Sequence, residues 1–213
     1  MKNFDPKMYF ITDSTLYTKE EFLSRVEKAL KGGVTLIQLR EKERTTREYL
    51  ELADAVHELA GKYNVPLIID DRLDVAMAID AEGVHLGQSD LPINVARKIW
   101  GDEKIIGATA KTVEQALEAY GQGADYLGVG AIYPTTTKVK TILTSPEMLD
   151  KICHAVPIPV NAIGGLNKDN IDILKGIPIA GVCVVSAIMK ADDPQNAAEE
   201  LSKAMRDKLG IKI

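Results

Sequence analysis

Two adjacent carboxylates end an apolar run in the first half of the chain. Residues 66–72 read PLIIDDR, so the run stops abruptly at Asp70 and Asp71. Like charges side by side repel each other, and a solvated turn could use Asn, Gly or Ser instead. A divalent cation would offset that repulsion, and Mg²⁺ typically takes one or two carboxylates with water and substrate phosphates. We therefore predict that at least one of these acids binds metal, although either alone could equally well cap a helix beginning near Leu73.

Polar residues suited to binding phosphate follow most of the other apolar runs. Carboxylates, hydroxyls and cations gathered at one end of many strands indicate a binding site rather than a purely structural role. A hard divalent ion among them would join carboxylates to phosphate oxygens. These residues are Gln38, Arg40 and Lys42 after the second run, Asp90 after the fourth, Thr109 after the fifth, and Thr135, Thr137 and Lys138 after the sixth.

A second candidate phosphate site follows the last two apolar runs. Gly164 and Gly165 come after the seventh run, and Ser186 comes after the eighth. Glycines allow the backbone to approach a ligand closely, and barrels of alternating strands and helices often hold a phosphate at this position. Taken alone, the two glycines are about as consistent with a tight turn that binds nothing.

The elements that must position these residues are eight short, continuous apolar runs, many of them β-branched. Such runs are typical of parallel strands buried on both faces. Each is followed by an amphipathic stretch, and 213 residues give about 27 residues for each strand–helix pair. This rhythm and length fit a single (β/α)8 TIM barrel over residues 1–213, although an open doubly wound sheet has the same periodicity. The predicted strands are residues 8–12, 34–39, 66–70, 83–86, 104–109, 126–130, 159–163 and 181–185.

The helices between the strands have readable ends. A Ser or Thr followed three residues later by Glu or Gln predicts a capping box, and a capping residue before proline also marks a helix start. Paired glycines predict a helix end. The starts are predicted at Thr18, Thr45, Thr112, Ser145 and Asp193, and the first helix is predicted to end at Gly32 and Gly33.

Composition and charge exclude several classes of function. The formal net charge is −5, whereas a surface that tracks nucleic acid is usually basic. No apolar run approaches the roughly 20 residues of a membrane helix, and no secretory signal is visible. Cys153 and Cys183 lack metal-ligand spacing and are predicted to be reduced thiols. We therefore expect a cytoplasmic protein without nucleic-acid or membrane partners.

The sequence also lacks an obvious catalytic nucleophile. His85 lies inside an apolar strand and is predicted to be a hydrogen-bonded core residue rather than a base. No Ser/His/Asp or Cys/His set is indicated. Gly128 and Gly130 lack the third glycine and the helix start of a dinucleotide-binding fingerprint.

An ordered set of motifs resembles the thiamine phosphate synthase family. The motifs are YFITD, GGVTLIQLREK, GVHLGQSDLP, GADYLGVGAIYPTTTK, NAIGGLNKDNI and VVSAI, in family order from about residue 8 to residue 195. The resemblance implies a (β/α)8 barrel that joins hydroxymethylpyrimidine diphosphate to hydroxyethylthiazole phosphate, giving thiamine phosphate and diphosphate. It also raises a homodimer as a candidate assembly.

The resemblance further implies roles for individual residues. Asp71 and Asp90 would hold Mg²⁺ against the diphosphate. The pyrimidine substrate or its leaving group would be contacted by Gln38, Arg40, Lys42, Asp70, Thr109 and Lys138, of which Lys42, Thr109 and Lys138 are the expected catalytic residues. The thiazole phosphate would be bound by Thr135, Thr137, Gly164, Gly165, Val185 and Ser186, largely through backbone N–H groups.

Two of these positions depart from the family pattern. Members usually have Asn where this chain has Asp70, and an ionised Asp cannot donate a hydrogen bond to a substrate oxygen. Asp70 could be an extra metal ligand, its charge could be offset by Arg72, or the pyrimidine site could be altered. Thr109 replaces the usual Ser and keeps the hydroxyl.

Three other functions compete with the synthase. A related thiazole tautomerase shares the phosphate end but works without metal, so Asp71 with Asp90 argues against it. A different phosphate-binding barrel, such as an epimerase or aldolase, would require an acid–base pair or Schiff-base lysine that the sequence does not supply. A non-catalytic thiazole phosphate-binding protein would keep the phosphate site but have no metal-dependent turnover.

Overall fold

Parallel strands close into a barrel in the computed structural model, which describes residues 4–134 and 142–213. Within these residues eight strands are found, each pairing with the next along the chain, and β8 pairs with β1. The barrel and all eight strands are confirmed, with strand ends that differ from prediction by at most two residues. The strands are β1 (Met8–Ile11), β2 (Leu36–Leu39), β3 (Leu67–Asp70), β4 (Gly83–Leu86), β5 (Ile105–Ala110), β6 (Tyr126–Gly130), β7 (Val160–Ile163) and β8 (Gly181–Val184).

Helices surround the barrel and begin where capping was predicted. Thr18 and Thr45 form complete capping boxes, and Ser145 caps a helix whose first residue is proline. At Thr112 the box is only half formed, because the Gln115 side chain accepts from the backbone N–H of Lys111 instead. The described helices are α1 (Lys19–Lys31), α2 (Thr46–Gly61), α3 (Leu73–Ala78), α4 (Ile93–Trp100), α5 (Val113–Gly121), α6 (Pro146–Ala155), a 3₁₀ helix (Ile171–Leu174), α7 (Ser186–Met189), α8 (Pro194–Ala204) and a π-helical turn (Met205–Leu209).

The two-residue period of the strands divides the core into two layers. In β1, Met8 and Phe10 pack in the large apolar layer between barrel and helices, whereas Tyr9 packs inside the barrel. In β3, Ile68 likewise faces the interior, and Asp70 lies two residues further along on the same side. The alternation therefore directs the last residue of β3 into the mouth of the barrel. None of the helices in the described ranges is long and apolar enough to cross a membrane.

Candidate active site

A cavity of about 690 Å³ opens at the carboxyl ends of the strands. Its volume falls within the roughly 300–1,000 Å³ typical of small-molecule sites. The predicted residues that line it are Gln38, Arg40, Lys42, Asp70, Asp71, Asp90, Thr109, Gly164, Gly165, Val185 and Ser186. Thr135, Thr137 and Lys138 lie outside the described residues, so their predicted roles stay predictions. Residues that are dispersed along the sequence therefore line one cavity.

One side of the cavity, the charged wall, consists of Arg40, Lys42, Asp70, Asp71 and Asp90. The Lys42 ammonium lies 2.7 Å from the Asp70 carboxylate and also contacts Asp71. The Arg40 Nε lies 3.6 Å from the same Asp70 oxygen. Burial and the neighbouring Asp71 charge raise the pKa of Asp70, while Lys42 and Arg40 oppose that rise. Burial of Lys42 disfavours its charge, but the two carboxylates outweigh this and raise the Lys42 pKa.

The structure excludes two of the alternatives that the sequence left open for Asp70. Neither Asp70 nor Asp71 caps the following helix, because α3 begins after Arg72 without a side-chain cap. Arg72 does not offset the Asp70 charge either, since its Nε donates to Asp74 at 2.8 Å. The partners of Asp70 come instead from the end of β2 and the loop that follows it. Asp70 is therefore a buried counter-ion for the two cations that were expected to meet the substrate.

Asp71 and Asp90, the two carboxylates predicted to hold a metal, both lie in the charged wall. The backbone of Asp71 has a left-handed φ of +60°, and its N–H donates to the His85 carbonyl at 2.9 Å. Asp90 accepts from the Gly87 N–H at 2.6 Å. Burial and the neighbouring Asp71 carboxyl raise the Asp90 pKa. Burial also disfavours the Asp71 charge, but the hydrogen bond from Lys42 outweighs this and lowers the Asp71 pKa.

This pair fits a magnesium ion that is completed by a substrate. Over residues 4–134 and 142–213, no group of three or more His, Cys, Asp or Glu side chains could hold a metal by itself. Mg²⁺ needs only one or two carboxylates when phosphate oxygens and water supply the other ligands. Two carboxylates in contact also gain from a divalent cation, because it removes the repulsion between them. Asp71 and Asp90 would therefore hold Mg²⁺ only together with further oxygen ligands that the described residues do not supply.

The opposite side of the cavity, the glycine wall, consists of Gly164, Gly165, Val185 and Ser186. Gly164 has a φ of +104° and Gly165 a φ of +65°, a region that favours glycine. A Cβ on Gly164 would lie 2.4 Å from the Ala131 Cβ. The turn itself therefore requires these glycines, so their identity alone does not establish phosphate binding.

A chain of buried hydrogen bonds crosses the barrel beneath the two walls. The buried hydrogen-bond chain consists of Gln38, Tyr9, Tyr126, His85 and Thr109. The prediction that His85 is a hydrogen-bonded core residue is confirmed. Sequence reasoning missed Tyr9 and Tyr126, although a tyrosine inside an apolar strand signals a hydroxyl that needs a partner.

The strand glycines near this chain also have a structural explanation. A Cβ on Gly107 would lie 2.1 Å from the Tyr126 Cζ, and one on Gly128 would lie 3.3 Å from the His85 Cε1. A Cβ on Gly130 would lie 2.0 Å from the Ile163 carbonyl oxygen. Positions 128 and 130 therefore require glycine because a ring or the backbone packs against them. This explanation agrees with the rejection of a dinucleotide motif.

Because a (β/α)8 barrel can carry many functions, the chain was compared with known protein families. The family model for thiamine monophosphate synthase matches residues 8–188. The chain belongs to this family. A thiamine-phosphate synthase 2 of Streptococcus pneumoniae is 51% identical over 94% of this chain and 96% of its own length. A thiamine-phosphate synthase of Clostridium tetani is 47% identical with the same coverage of both chains.

A solved structure supports the same assignment. The thiamine phosphate pyrophosphorylase of Pyrococcus furiosus superposes with a TM-score of 0.86 at 44% identity, covering 96% of this chain and 97% of the other. The predicted family and the predicted enzyme class, a transferase, are confirmed.

Proposed function

We propose that the chain condenses hydroxymethylpyrimidine diphosphate with hydroxyethylthiazole phosphate, forming thiamine phosphate and diphosphate. The observation that carries this proposal is one cavity with two unlike walls, found in a member of the thiamine monophosphate synthase family. The charged wall suits a diphosphate and the glycine wall suits a monophosphate. Two small phosphorylated substrates are accordingly the expected partners.

The charged wall would assist departure of the diphosphate. The bond between the pyrimidine methylene carbon and the diphosphate oxygen breaks, and its electron pair leaves with the oxygen. The Lys42 ammonium and the Arg40 guanidinium can neutralise the charge that develops there. Asp71 and Asp90 would hold Mg²⁺, which when bound supplies further positive charge for the leaving group.

The second half of the reaction needs little chemistry from the protein. The electron-rich pyrimidine ring supports the positive charge left on the methylene carbon, and the thiazole nitrogen attacks that carbon to form the new C–N bond. No proton has to be removed from the attacking nitrogen, which explains why the site needs no strong base. The protein's main task is to hold the two substrates in line.

The remaining proposed roles are those predicted from the sequence. Gln38 and Thr109 line the cavity and are proposed to bind the pyrimidine ring. Gly164, Gly165, Val185 and Ser186 are proposed to bind the thiazole phosphate, together with Thr135 and Thr137. Lys138 is proposed to join Lys42 at the leaving group. A cytoplasmic location and a homodimer stay predictions; sedimentation of the purified protein would test the latter.

The test is diphosphate release by the purified protein given both substrates, with and without Mg²⁺. We expect release to require both substrates and the metal, and to fall about 10²–10³-fold in Asp71→Ala. Asp54→Ala is the matched control, because Asp54 is an exposed acid on α2, outside the cavity. Wild-type protein that binds the thiazole phosphate but releases no diphosphate would overturn the synthase and favour a binding protein or tautomerase.

A further inference from the structure

The buried hydrogen-bond chain joins five strands through side chains alone. The Gln38 Nε2 lies 2.6 Å from the Tyr9 hydroxyl, which lies 2.7 Å from the Tyr126 hydroxyl. The Tyr126 hydroxyl is 3.1 Å from the His85 Nδ1, and the His85 Nε2 is 2.9 Å from the Thr109 hydroxyl. The two ends of the chain, Gln38 and Thr109, are the residues proposed to bind the pyrimidine. Tyr9, Tyr126 and His85 connect them.

The barrel is shaped to admit the rings of this chain. Glycine in a strand interior weakens the strand and often marks a place where another group approaches closely. Gly107 and Gly128 occupy such positions in β5 and β6, and a Cβ at either would press against the rings of Tyr126 or His85. The sequence of the strands therefore accommodates the buried hydrogen-bond chain, which is not a chance contact between polar side chains.

The donor at the Gln38 end favours one direction for the whole series of hydrogen bonds. The Gln38 amide nitrogen can only donate, so the Tyr9 oxygen accepts and the Tyr9 hydrogen is left for Tyr126. The Tyr126 hydrogen then goes to the His85 Nδ1, which leaves the Nε2–H to donate to the Thr109 oxygen. Burial raises the pKa of both Tyr9 and Tyr126, so each hydroxyl keeps the hydrogen that the chain requires.

This direction sets the polarity of both ends. With its amide nitrogen turned towards Tyr9, Gln38 presents its carbonyl oxygen on the other side of the amide as an acceptor. With one lone pair of its oxygen accepting from His85, Thr109 keeps its hydroxyl hydrogen as a donor. An aminopyrimidine carries the complementary groups, an amino donor and ring-nitrogen acceptors. We propose that Tyr9, Tyr126 and His85 are positioning residues that polarise Gln38 and Thr109, so that the site selects an aminopyrimidine over analogues with reversed donors and acceptors.

This inference rests on the proposed function, and its first test uses both substrates. Tyr126→Phe and Tyr9→Phe each remove a hydroxyl from the chain and keep the ring. We expect the KM for the pyrimidine diphosphate to rise about five- to tenfold, the effect of about one hydrogen bond, and the KM for the thiazole phosphate to stay unchanged. Tyr63→Phe is the control, because its hydroxyl donates to Glu27 outside the cavity.

Specificity provides a sharper readout than affinity. The analogue in which an oxo group replaces the amino group presents an acceptor where the substrate presents a donor. We expect wild-type protein to prefer the amino substrate strongly in kcat/KM, and Tyr126→Phe to lose about five- to tenfold of that preference. Equal losses for both substrates and an unchanged preference would show a structural role only and would overturn the proposal.

A substrate-free measurement separates this proposal from the function itself. Nitrogen-15 NMR of labelled protein can assign the His85 tautomer, because the protein has only three histidines and their signals can be separated. We expect a protonated Nε2 and an unprotonated Nδ1, with the Nδ1 signal shifted in Tyr126→Phe. A protonated Nδ1 would mean that the chain runs the opposite way and would overturn the proposal, even in an active enzyme. The expected tautomer in a protein without turnover would support the polarity while the proposed function failed.

Discussion

The two walls of the cavity are both suited to phosphate groups, but one depends on charged side chains and the other on backbone conformation. The charged wall depends on side chains whose charges offset one another, with Asp70 buried and only 7% exposed beside Lys42 and Arg40. The glycine wall depends on backbone shape, because Gly164 and Gly165 turn the chain in conformations that favour glycine. Single substitutions can change the charge of the charged wall without changing its backbone, whereas the glycine wall tolerates few substitutions. We therefore expect substitutions in the charged wall to reduce mainly activity, and substitutions in the glycine wall to reduce mainly stability.

Lys42→Met should have the largest effect on the charged wall. It removes the cation proposed to neutralise the leaving group, so we expect diphosphate release to fall about 10²–10³-fold. It also leaves Asp70 buried with a weaker partner, and we expect the free energy of unfolding to drop by about 1–3 kcal/mol. Lys62→Met, at the exposed end of α2, should change neither quantity.

The double variant Asp70→Asn with Lys42→Met separates the two losses. The amide removes the uncompensated charge, so denaturation should show stability restored to near wild type. Diphosphate release should stay low, because the cation is still missing. Recovery of activity in the double variant would show that Lys42 serves only to balance Asp70.

Gly164→Ala should damage the glycine wall through stability. The substitution combines a strained φ with a Cβ that would lie 2.4 Å from the Ala131 Cβ. We expect a loss of about 2–3 kcal/mol in denaturant unfolding, with a raised KM for the thiazole phosphate. Gly176→Ala separates the two causes, since Gly176 has a φ of +86° but open space around it. A loss as large in Gly176→Ala would assign the effect to φ alone.

Gly107→Ala should damage the region beneath both walls. Its Cβ would overlap the Tyr126 ring, so we expect a loss of about 1–3 kcal/mol in the free energy of unfolding. The displaced hydroxyl should also raise the KM for the pyrimidine diphosphate. An unchanged KM in a folded Gly107→Ala protein would contradict the link between ring placement and substrate binding.

Asp70→Asn alone should have the smallest effect. Removing this carboxylate leaves Lys42 and Arg40 with less opposing charge, so we expect the KM for the pyrimidine diphosphate to fall a few-fold. The change in stability should lie within about 1 kcal/mol, because the amide oxygen can still accept from Lys42. A raised KM would show that the carboxylate itself contributes to binding.

Local rules predicted the barrel and the residues at its mouth. Hydrophobic runs and capping residues act over a few positions, so the strands and helix starts could be read directly. The partners of Asp70 could not be read from the sequence. The choice between Arg72 and Lys42 depends on how β2 and β3 lie side by side and on the directions of the side chains. Tyr9 and Tyr126 escaped notice for the same reason, since their contact joins residues 117 positions apart.

That contact has a consequence for how the barrel holds together. Tyr9 belongs to the first strand and Tyr126 to the sixth, and their bond crosses the interior instead of following the circumference. In a fragment that ended after β4, Tyr9 would keep Gln38 as a partner, but the Tyr126 hydroxyl that joins Tyr9 to His85 would be missing. The hydrogen-bonded link across the interior therefore forms only when strands from both halves of the barrel are present. The two halves of the barrel are therefore joined through the interior as well as along the sheet.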